Sequence, residues 1–224
     1  MVLSLLLGAH PARMAPAQLV AAGGYLGVTE PALRVALTRA VASGDLVRRD
    51  GAYALGERLV ERQRRQDASV DHASAAWDGT WEQVVVVEAG RAAADRAALR
   101  AELAARQLAE LREGVWMRPA NLGARPTLDD AAVASFRVDR VADAGALAGR
   151  LWDLDAWSSR GHALLDELAT TADPSLRLAV AADLVRHLVD DPLLPASLLP
   201  DDWPGDRLRS TYAAYQEELA AVRD

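Results

Sequence analysis

A turn dipeptide near the amino terminus, Asp50-Gly51, limits the possible folds more than any other part of the sequence. It separates two short runs, Leu46–Arg49 and Ala52–Leu55, and an Asp-Gly pair in that position is the strongest local signal for a β-hairpin. Two helical patterns precede the hairpin, over residues 16–26 and 30–43, with a glycine-containing turn between them. Helix, turn, helix and hairpin in this order predict a winged helix-turn-helix.

The second of these helices is expected to be amphipathic. Thr29 is its predicted N-cap, Glu30 lies in its positive first turn, and Gly44 ends it. The predicted buried stripe consists of Leu33, Leu37, Ala40 and Val41.

The opposite face of this helix carries residues that suit DNA recognition, because a recognition helix in the major groove contacts bases and phosphates with its outward side chains. Arg34 and Thr38 lie four residues apart on that face with Val35 beside them, and Arg39 lies nearer the helix edge. Arg39 could reach a phosphate or pair with an acidic residue of the same domain. The candidate DNA-binding residues, including the helix cap and the two arginines before the hairpin turn, are Thr29, Arg34, Val35, Thr38, Arg39, Arg48 and Arg49.

The charge distribution supports a basic module attached to an acidic body. The whole chain has a net charge of −7, and all 25 of its basic residues are arginine. Residues 1–66 contain nine arginines and five acidic residues, a net charge of +4, whereas the remaining 16 arginines and 27 acidic residues give −11. The alternative is that each arginine is a solvated surface charge and that the winged helix binds a protein.

Several classes of chemistry are excluded or disfavoured by residue content. The chain has no cysteine and no lysine, which excludes disulfides, thiolate zinc sites, P-loops and Schiff-base catalysis. No hydrolase, zincin or dinucleotide-binding motif is present. The four histidines are scattered without metal-ligand spacing, and we expect them at the surface or in an interface: His10, His72, His162 and His187. Glu88 is the only carboxylate placed where a ferredoxin-like nuclease would need a metal ligand, and we expect it to be solvated. We expect no enzymatic activity, no cofactor and no metal.

Membrane insertion is not expected either. The apolar opening, residues 1–9, lacks a positively charged flank and is too short to span a bilayer. A first core helix accounts for it better, and the expected location is the cytoplasm.

The middle of the chain predicts a small α+β domain. After a polar linker at 67–74, a β-branched strand begins at Trp81, and an alanine-rich helix covers 91–112. A strand at 114–117 stopped by Pro119, another at 132–138 and a short helix at 143–151 follow. This alternation is typical of a ferredoxin-like sandwich, whose sheet edge or face often pairs with a second subunit.

The carboxy-terminal part is predicted to be helical. Helices are expected over 155–168, over 174–188 with Asp173 as N-cap, and over 205–223. The segment between the last two contains four prolines and several large apolar side chains, so it reads as an ordered loop across the helices. The predicted α+β chain therefore has three domains: a winged helix-turn-helix at 1–66, a ferredoxin-like domain at 67–141 as the dimerisation candidate, and a helical domain at 142–224.

Five stretches carry a family resemblance: the recognition-helix segment 28–39, the Trp-Asp-Gly-Thr-Trp of 77–81, the Gly-Val-Trp-Met-Arg-Pro of 114–119, the Leu-Trp-Asp-Leu of 151–154, and the long proline-rich segment 191–205. Together they resemble the PaaX family of bacterial transcriptional repressors, which control phenylacetic acid catabolism. The resemblance implies a homodimer that binds palindromic double-stranded operators and releases them on binding an aromatic acyl-CoA such as phenylacetyl-CoA. It also implies a central domain like the ferredoxin-fold nuclease of CRISPR adaptation, without its activity.

The effector pocket is not identified by the sequence. Val35, Ala40 and a short central segment depart from the family pattern, so the ligand is the least transferable property. Arg118 and Arg125 could meet a CoA phosphate, although nothing in their spacing singles them out. The six tryptophans, all outside the winged helix, either line such a pocket or join the central and carboxy-terminal domains. An effector-binding or protein-interaction module that does not touch DNA remains the alternative function.

Overall fold

A computed structural model describes residues 1–71, 76–88, 90–123, 128 and 131–222 of the chain. By packing, the chain divides into two compact units. Unit 1 comprises Met1–His72, Ser158–Asp191 and Pro204–Asp224, and unit 2 comprises Ala73–Trp157 and Pro192–Trp203. The three-domain division drawn from the sequence remains a prediction, since packing within a unit does not show which segments fold independently.

The amino-terminal part of unit 1 has the predicted order of helix, helix and hairpin. Its elements are α1 (Val2–Leu7), β1 (Arg13–Met14), α2 (Pro16–Tyr25), α3 (Glu30–Ala42), β2 (Leu46–Arg49), β3 (Ala52–Leu55) and α4 (Glu57–Val70). The three strands form an antiparallel sheet in the order β1-β3-β2. Asp50 and Gly51 at the hairpin turn have φ angles of +48° and +77°, the left-handed pair that a two-residue turn of this kind requires.

The winged helix is held by leucines that the helix period brings to one side. Leu33 and Leu37 of α3 are buried with Leu19 of α2, as the four-residue spacing predicts. The rest of the predicted stripe is wrong: Ala40 is half-buried and Val41 is exposed. Both lie in the last turn of α3, where the core ends before the helix does.

The helix that follows the hairpin, α4, extends into the predicted linker. Residues 67–70 of the predicted linker continue α4, which ends at Val70. Gln63 on its buried face donates from Nε2 to the carbonyl oxygens of Leu7, at 2.8 Å, and Ala9, at 3.0 Å. These bonds satisfy carbonyls at the end of α1 that no intrahelical donor reaches.

Unit 2 is built on a four-stranded antiparallel sheet. Its elements are β4 (Trp81–Val86), α5 (Ala93–Ala105), β5 (Ala109–Arg112), β6 (Val115–Pro119), β7 (Val133–Val138) and α6 (Ala144–Leu151). The strand order β5-β6-β4-β7 is that of a ferredoxin-like sheet, with the predicted strand at Trp81 in its interior. Trp116 packs with Leu99 and Leu103 of α5, whereas its neighbour Met117 packs with Ala148 of α6, so alternate residues of β6 serve opposite faces.

The predicted helix over 91–112 is wrong beyond Ala105. The helix α5 ends at Ala105, and Gln107 adopts a left-handed φ of +61° that no helix continues through. Residues 109–112 then form the edge strand β5 against β6. The local composition favours a helix there, and the pairing with β6 overrides it.

Three further helices follow, α7 (Leu154–Thr170), α8 (Pro174–Val189) and α9 (Gly205–Ala221), with a 3₁₀ turn at Ala196–Leu198 between the last two. The predicted N-cap is confirmed: the Asp173 carboxylate accepts from the Leu176 N–H at 2.9 Å. In the ordered loop before α9, Leu194 and Leu198 are buried in unit 2. All six tryptophans belong to unit 2, and all four tyrosines belong to unit 1. None of the described helices has the length and apolar character of a bilayer span.

Candidate nucleic-acid interface

The outward face of α3 begins at its N-cap. Thr29 occupies that position with extended backbone (φ −69°, ψ 147°), as predicted, but its side chain makes no capping hydrogen bond. Its side chain is exposed at the start of the helix, where backbone N–H groups favour negative charge. The start of α3 is therefore exposed, and the carboxylate of Glu30 lies in its first turn.

Arg34 is exposed and paired within the same helix. Its guanidinium donates to Oε1 of Glu30 through Nε at 3.0 Å and through Nη2 at 2.5 Å. The side chains of Arg34 and Glu30 are 75% and 48% exposed. The hydrogen bond and the charge of Glu30 raise the pKa of Arg34 above its ordinary value. Sequence reasoning placed Arg34 on this face but missed its pairing, although a spacing of four residues was a usable signal.

The other predicted residues of α3 also face outward. Val35 is 52% exposed, an unusual setting for an aliphatic side chain beside charged residues. The Thr38 hydroxyl donates to the Arg34 carbonyl at 2.9 Å, so its methyl group and its oxygen lone pairs remain available. Arg39 is exposed in the last turn. The structure thus groups Arg34, Val35, Thr38 and Arg39 on one exposed helix.

The two arginines of the hairpin lie on β2. Arg48 pairs in register with Tyr53, and its guanidinium carbon is 5.2 Å from the Tyr53 ring centroid. This cation–π contact limits the rotamers of a side chain that otherwise extends into solvent. Arg49 is exposed next to the turn. Both positions agree with the predicted wing.

Arg13 is a wing residue that sequence reasoning missed. Its Nη2 donates to the Asp50 carbonyl at 3.2 Å, and its Nη1 is 3.5 Å from Oδ2 of the Asp50 carboxylate. It therefore holds the hairpin turn from the neighbouring strand and offsets the negative charge at its tip. The strand β1 has only two residues, so no periodic pattern could reveal it.

Three of the four arginines of α4 pair with acidic residues. Arg58 donates to Asp45 at 2.5 Å, and Arg64 and Arg65 lie 3.5 and 3.9 Å from Glu61. The bonds from Arg58 and Ser43 lower the pKa of Asp45. These arginines are not part of the candidate interface.

Arg118 is not available to a CoA phosphate, which corrects one suggestion from the sequence. It is fully buried, and its guanidinium donates to the carbonyls of Pro119, Gln107 and Leu193 and to the Asn121 side chain. Arg125 lies outside the described residues. The tryptophans form packed pairs within unit 2: Trp157 stacks on Trp203 at 4.2 Å, and Trp77 meets Trp81 edge-on at 6.3 Å.

Two open clefts in unit 2 have small-molecule dimensions. One, of about 590 Å³, lies between the end of α6 and the 3₁₀ turn, and Trp152 lines it. The other, of about 530 Å³, lies beside α5 and is lined by Trp116 and three arginines, Arg91, Arg96 and Arg100. Both volumes fall in the range of ligand sites.

In the part of the chain that the structure describes, no three histidine, aspartate or glutamate side chains lie close enough together to hold a metal ion. Glu88 is 3.9 Å from Arg91 rather than in a carboxylate cluster. His10 contacts Asp67 at 3.0 Å, and His162 contacts the Ser158 carbonyl at 3.0 Å. His72 lies outside the described residues.

Three family models match successive parts of the chain. They are described as PaaX-like protein, over residues 1–59, PaaX protein central Cas2-like domain, over 74–139, and PaaX-like protein C-terminal domain, over 152–223. Among solved structures, the chain is similar to the uncharacterized protein Rv0674 from Mycobacterium tuberculosis, at 46% identity and a TM-score of 0.86. That match covers 100% of this chain and 95% of the other. No curated protein matches the chain.

Proposed function

The chain belongs to the PaaX-like family of transcription regulators, and from this premise we propose that it binds operator DNA through α3 and the β2–β3 wing. The observation that carries the proposal is the exposed group on α3, Arg34, Val35, Thr38 and Arg39. Arg34 can donate two hydrogen bonds, Val35 offers an apolar contact and Arg39 adds a second positive charge. Side chains of these kinds recognise base edges in a major groove. Thr29 at the helix start is exposed next to this group and is a further candidate contact to the DNA.

The wing supplies the sequence-independent part of the proposed binding. Arg48 and Arg49 extend from β2, and Arg13 keeps the turn beside them in place. Arginines in such positions replace condensed counterions on the phosphates and make the affinity depend on salt. The charge of +4 on residues 1–66 fits this role, and the charge of −11 on the rest opposes contacts elsewhere on the molecule.

We further propose a homodimeric repressor. A twofold dimer would place two α3 helices in major grooves on one side of a palindromic operator, with half-sites about 34–36 Å apart or a multiple of that. Release by an aromatic acyl-CoA such as phenylacetyl-CoA is proposed from the family resemblance. The two clefts of unit 2 are of a suitable size, and neither is assigned to that ligand.

The test is fluorescence-anisotropy titration of DNA from upstream of the chain's own gene, at two salt concentrations, with and without phenylacetyl-CoA. We expect tight, salt-sensitive binding that the ligand weakens. Binding that ignores the ligand would keep the regulator and remove this effector. Absence of binding above random DNA, both for the upstream DNA and after selection from a random library, would instead favour an interaction module.

Arg34→Ala tests the interface itself. We expect it to weaken specific binding by roughly 1–3 kcal/mol, because a good bidentate base contact is worth that much. Arg207→Ala, which removes an exposed arginine of α9, is the matched control and should bind like the wild type. Unchanged operator affinity in Arg34→Ala would rule out this assignment of α3.

A further inference from the structure

The contact between Glu30 and Arg34 uses one particular edge of the guanidinium. An arginine offers two bidentate edges, a side edge formed by Nε and Nη2 and an end edge formed by Nη1 and Nη2. Glu30 Oε1 accepts from Nε and Nη2, at 3.0 and 2.5 Å, so it occupies the side edge. The end edge, which presents one N–H of Nη1 and one N–H of Nη2, is directed away from this partner.

We propose that Glu30 and Arg34 act as one reading unit that selects a guanine in the operator half-site; the inference rests on the proposed DNA-binding function. Guanine presents two acceptors, O6 and N7, in the major groove, and the end edge of an arginine matches them bidentately. Adenine presents an amino donor in place of O6, which a guanidinium cannot satisfy. Arg34 held by Glu30 therefore distinguishes the two purines.

Glu30 also contributes to selection by the charge it brings. A carboxylate beside Arg34 repels phosphates, so the pair gains little from the sequence-independent contact that a lone arginine would make. A base edge carries no net charge and imposes no such penalty. Glu30 is thus a specificity-determining residue that lowers affinity for DNA in general and favours the one site with matching acceptors.

The geometry of α3 favours the pair before any DNA arrives. The residues are one helical turn apart with the acid on the amino-terminal side, the better orientation for such a pair. The Thr38 hydroxyl bonds to the backbone of the same turn. An arginine restricted by such a pair loses less freedom on binding than an unrestricted one, which again favours the matched site.

The experiment compares the wild type with Glu30→Gln and Glu30→Asp on operators selected from a random library by the wild type. In each selected operator, every guanine is replaced in turn by adenine. The contacted base is the guanine whose replacement weakens binding of the wild type but not of Arg34→Ala. We expect the wild type to prefer guanine there by roughly tenfold or more. Glu30→Gln should lose most of that preference, while its affinity for random DNA rises and its salt dependence becomes steeper.

Glu30→Asp separates the proposed role from a structural one. Aspartate keeps the negative charge in the first turn of α3 but is too short to hold the side edge of Arg34. If Glu30 only stabilises the helix terminus, Glu30→Asp will keep the wild-type base preference. If it positions Arg34, both variants will lose preference while their thermal unfolding shows intact folds.

Failures of the two ideas are distinguishable. A wild type that selects no sequence overturns the proposed function and this inference with it. A wild type that binds its operator specifically, together with Glu30 variants that retain the full guanine preference, overturns only the reading unit. The same holds if no guanine in the operator depends on Arg34.

Discussion

At the scale of single residues, Gly56 shows how closely two backbone segments approach where the wing meets α4. A Cβ atom at Gly56 would lie 2.1 Å from the Gly44 carbonyl oxygen, and the Gly56 N–H donates to the Asp45 carbonyl at 2.7 Å. The backbones of residues 44–45 and of Gly56 cannot move apart to relieve the clash without breaking that hydrogen bond. Only glycine fits here.

We therefore expect Gly56→Ala to lower the free energy of unfolding by roughly 1–3 kcal/mol, the usual cost of forcing atoms into a packed site. Gly24→Ala is the matched control, because a Cβ there meets nothing within 4 Å and the residue lies in α2. It should be neutral or stabilising by about 0.5–1 kcal/mol. Urea denaturation of both variants measures the difference, and equal stability would contradict the clash.

Arg48 gives a prediction for the wing. Arg48→Ala should reduce the slope of log affinity against log salt by about one unit and leave the order of preferred sequences unchanged, since a phosphate contact carries no base information. The measurement is the anisotropy titration over a salt series. Arg207→Ala should keep the wild-type slope. A change in base preference in Arg48→Ala would mean that the wing reads bases.

Residue roles were predictable from the sequence only where the signal is local. The Asp50-Gly51 turn was predicted at the right position, because the left-handed backbone it needs is a property of those two residues. The contact of Arg13 with Asp50 joins residues 37 apart in sequence, so it depends on strand pairing that no local pattern encodes. The direct DNA contacts of Thr29, Arg34, Val35, Thr38, Arg39, Arg48 and Arg49 remain predictions.

At the scale of elements, helices with clear caps and periods were predicted to within a few residues. The helix α8 is an example, because Asp173 and Pro174 mark its start. The strand β5 was missed because its residues are good helix formers and only the pairing with β6 makes them a strand. Tertiary pairing of this kind is invisible to a window of sequence.

Arg118 supports a prediction about how β6 is joined to the loop before α9. It donates to the Leu193 carbonyl at 3.2 Å, and Asn121 donates to the same oxygen at 2.8 Å. Arg118→Met would leave buried acceptors without donors and should lower the free energy of unfolding by about 1–3 kcal/mol. Arg118→Lys should also destabilise, because an ammonium cannot span the same acceptors.

The control for Arg118 is Arg112→Met, which replaces an exposed arginine of the neighbouring strand β5. A surface substitution of this kind is expected within about 0.5 kcal/mol of the wild type. Chemical denaturation followed by tryptophan fluorescence reports on the unit that holds the network. If Arg118→Met is as stable as Arg112→Met, the buried hydrogen bonds contribute nothing net.

At the scale of the whole molecule, stability in alkali depends on α9. Burial raises the pKa of Tyr212 and of Tyr215 to about 12, compared with 10.0 for a free tyrosine. Between these values the unfolded chain loses the phenolic protons and the folded chain keeps them. The stability that these two tyrosines contribute should therefore be fully present below about pH 10 and should be lost as the pH rises from about 10 to 12.

The expected loss is roughly 1–3 kcal/mol for each tyrosine, since one pKa unit corresponds to about 1.4 kcal/mol. The double variant Tyr212→Phe, Tyr215→Phe should lose less stability between pH 9 and pH 11 than the wild type, as measured by urea denaturation at about those values. Tyr25→Phe, which alters an exposed ring of α2, is the control. An identical alkaline loss in the double variant would place its origin elsewhere.

The sequence also predicted the overall class, an α+β chain with a winged helix and a ferredoxin-like sheet, because the spacing of apolar residues that distinguishes a strand from a helix is visible within a short segment. It did not predict that α8 and α9 pack with the winged helix in unit 1. That grouping depends on which apolar faces match in three dimensions. Leu208 and Leu219 of α9 belong to a helically spaced apolar face that the sequence shows clearly, but the sequence does not show which element that face packs against.

The segregation of the aromatic residues gives each unit its own optical signal. All six tryptophans belong to unit 2 and all four tyrosines to unit 1. At the red edge of the near-ultraviolet absorption band only tryptophan absorbs, so fluorescence excited there comes from unit 2 alone. Unlabelled protein can therefore report the unfolding of unit 2 by itself. A small molecule that alters tryptophan emission would be detected at unit 2 without any engineered probe.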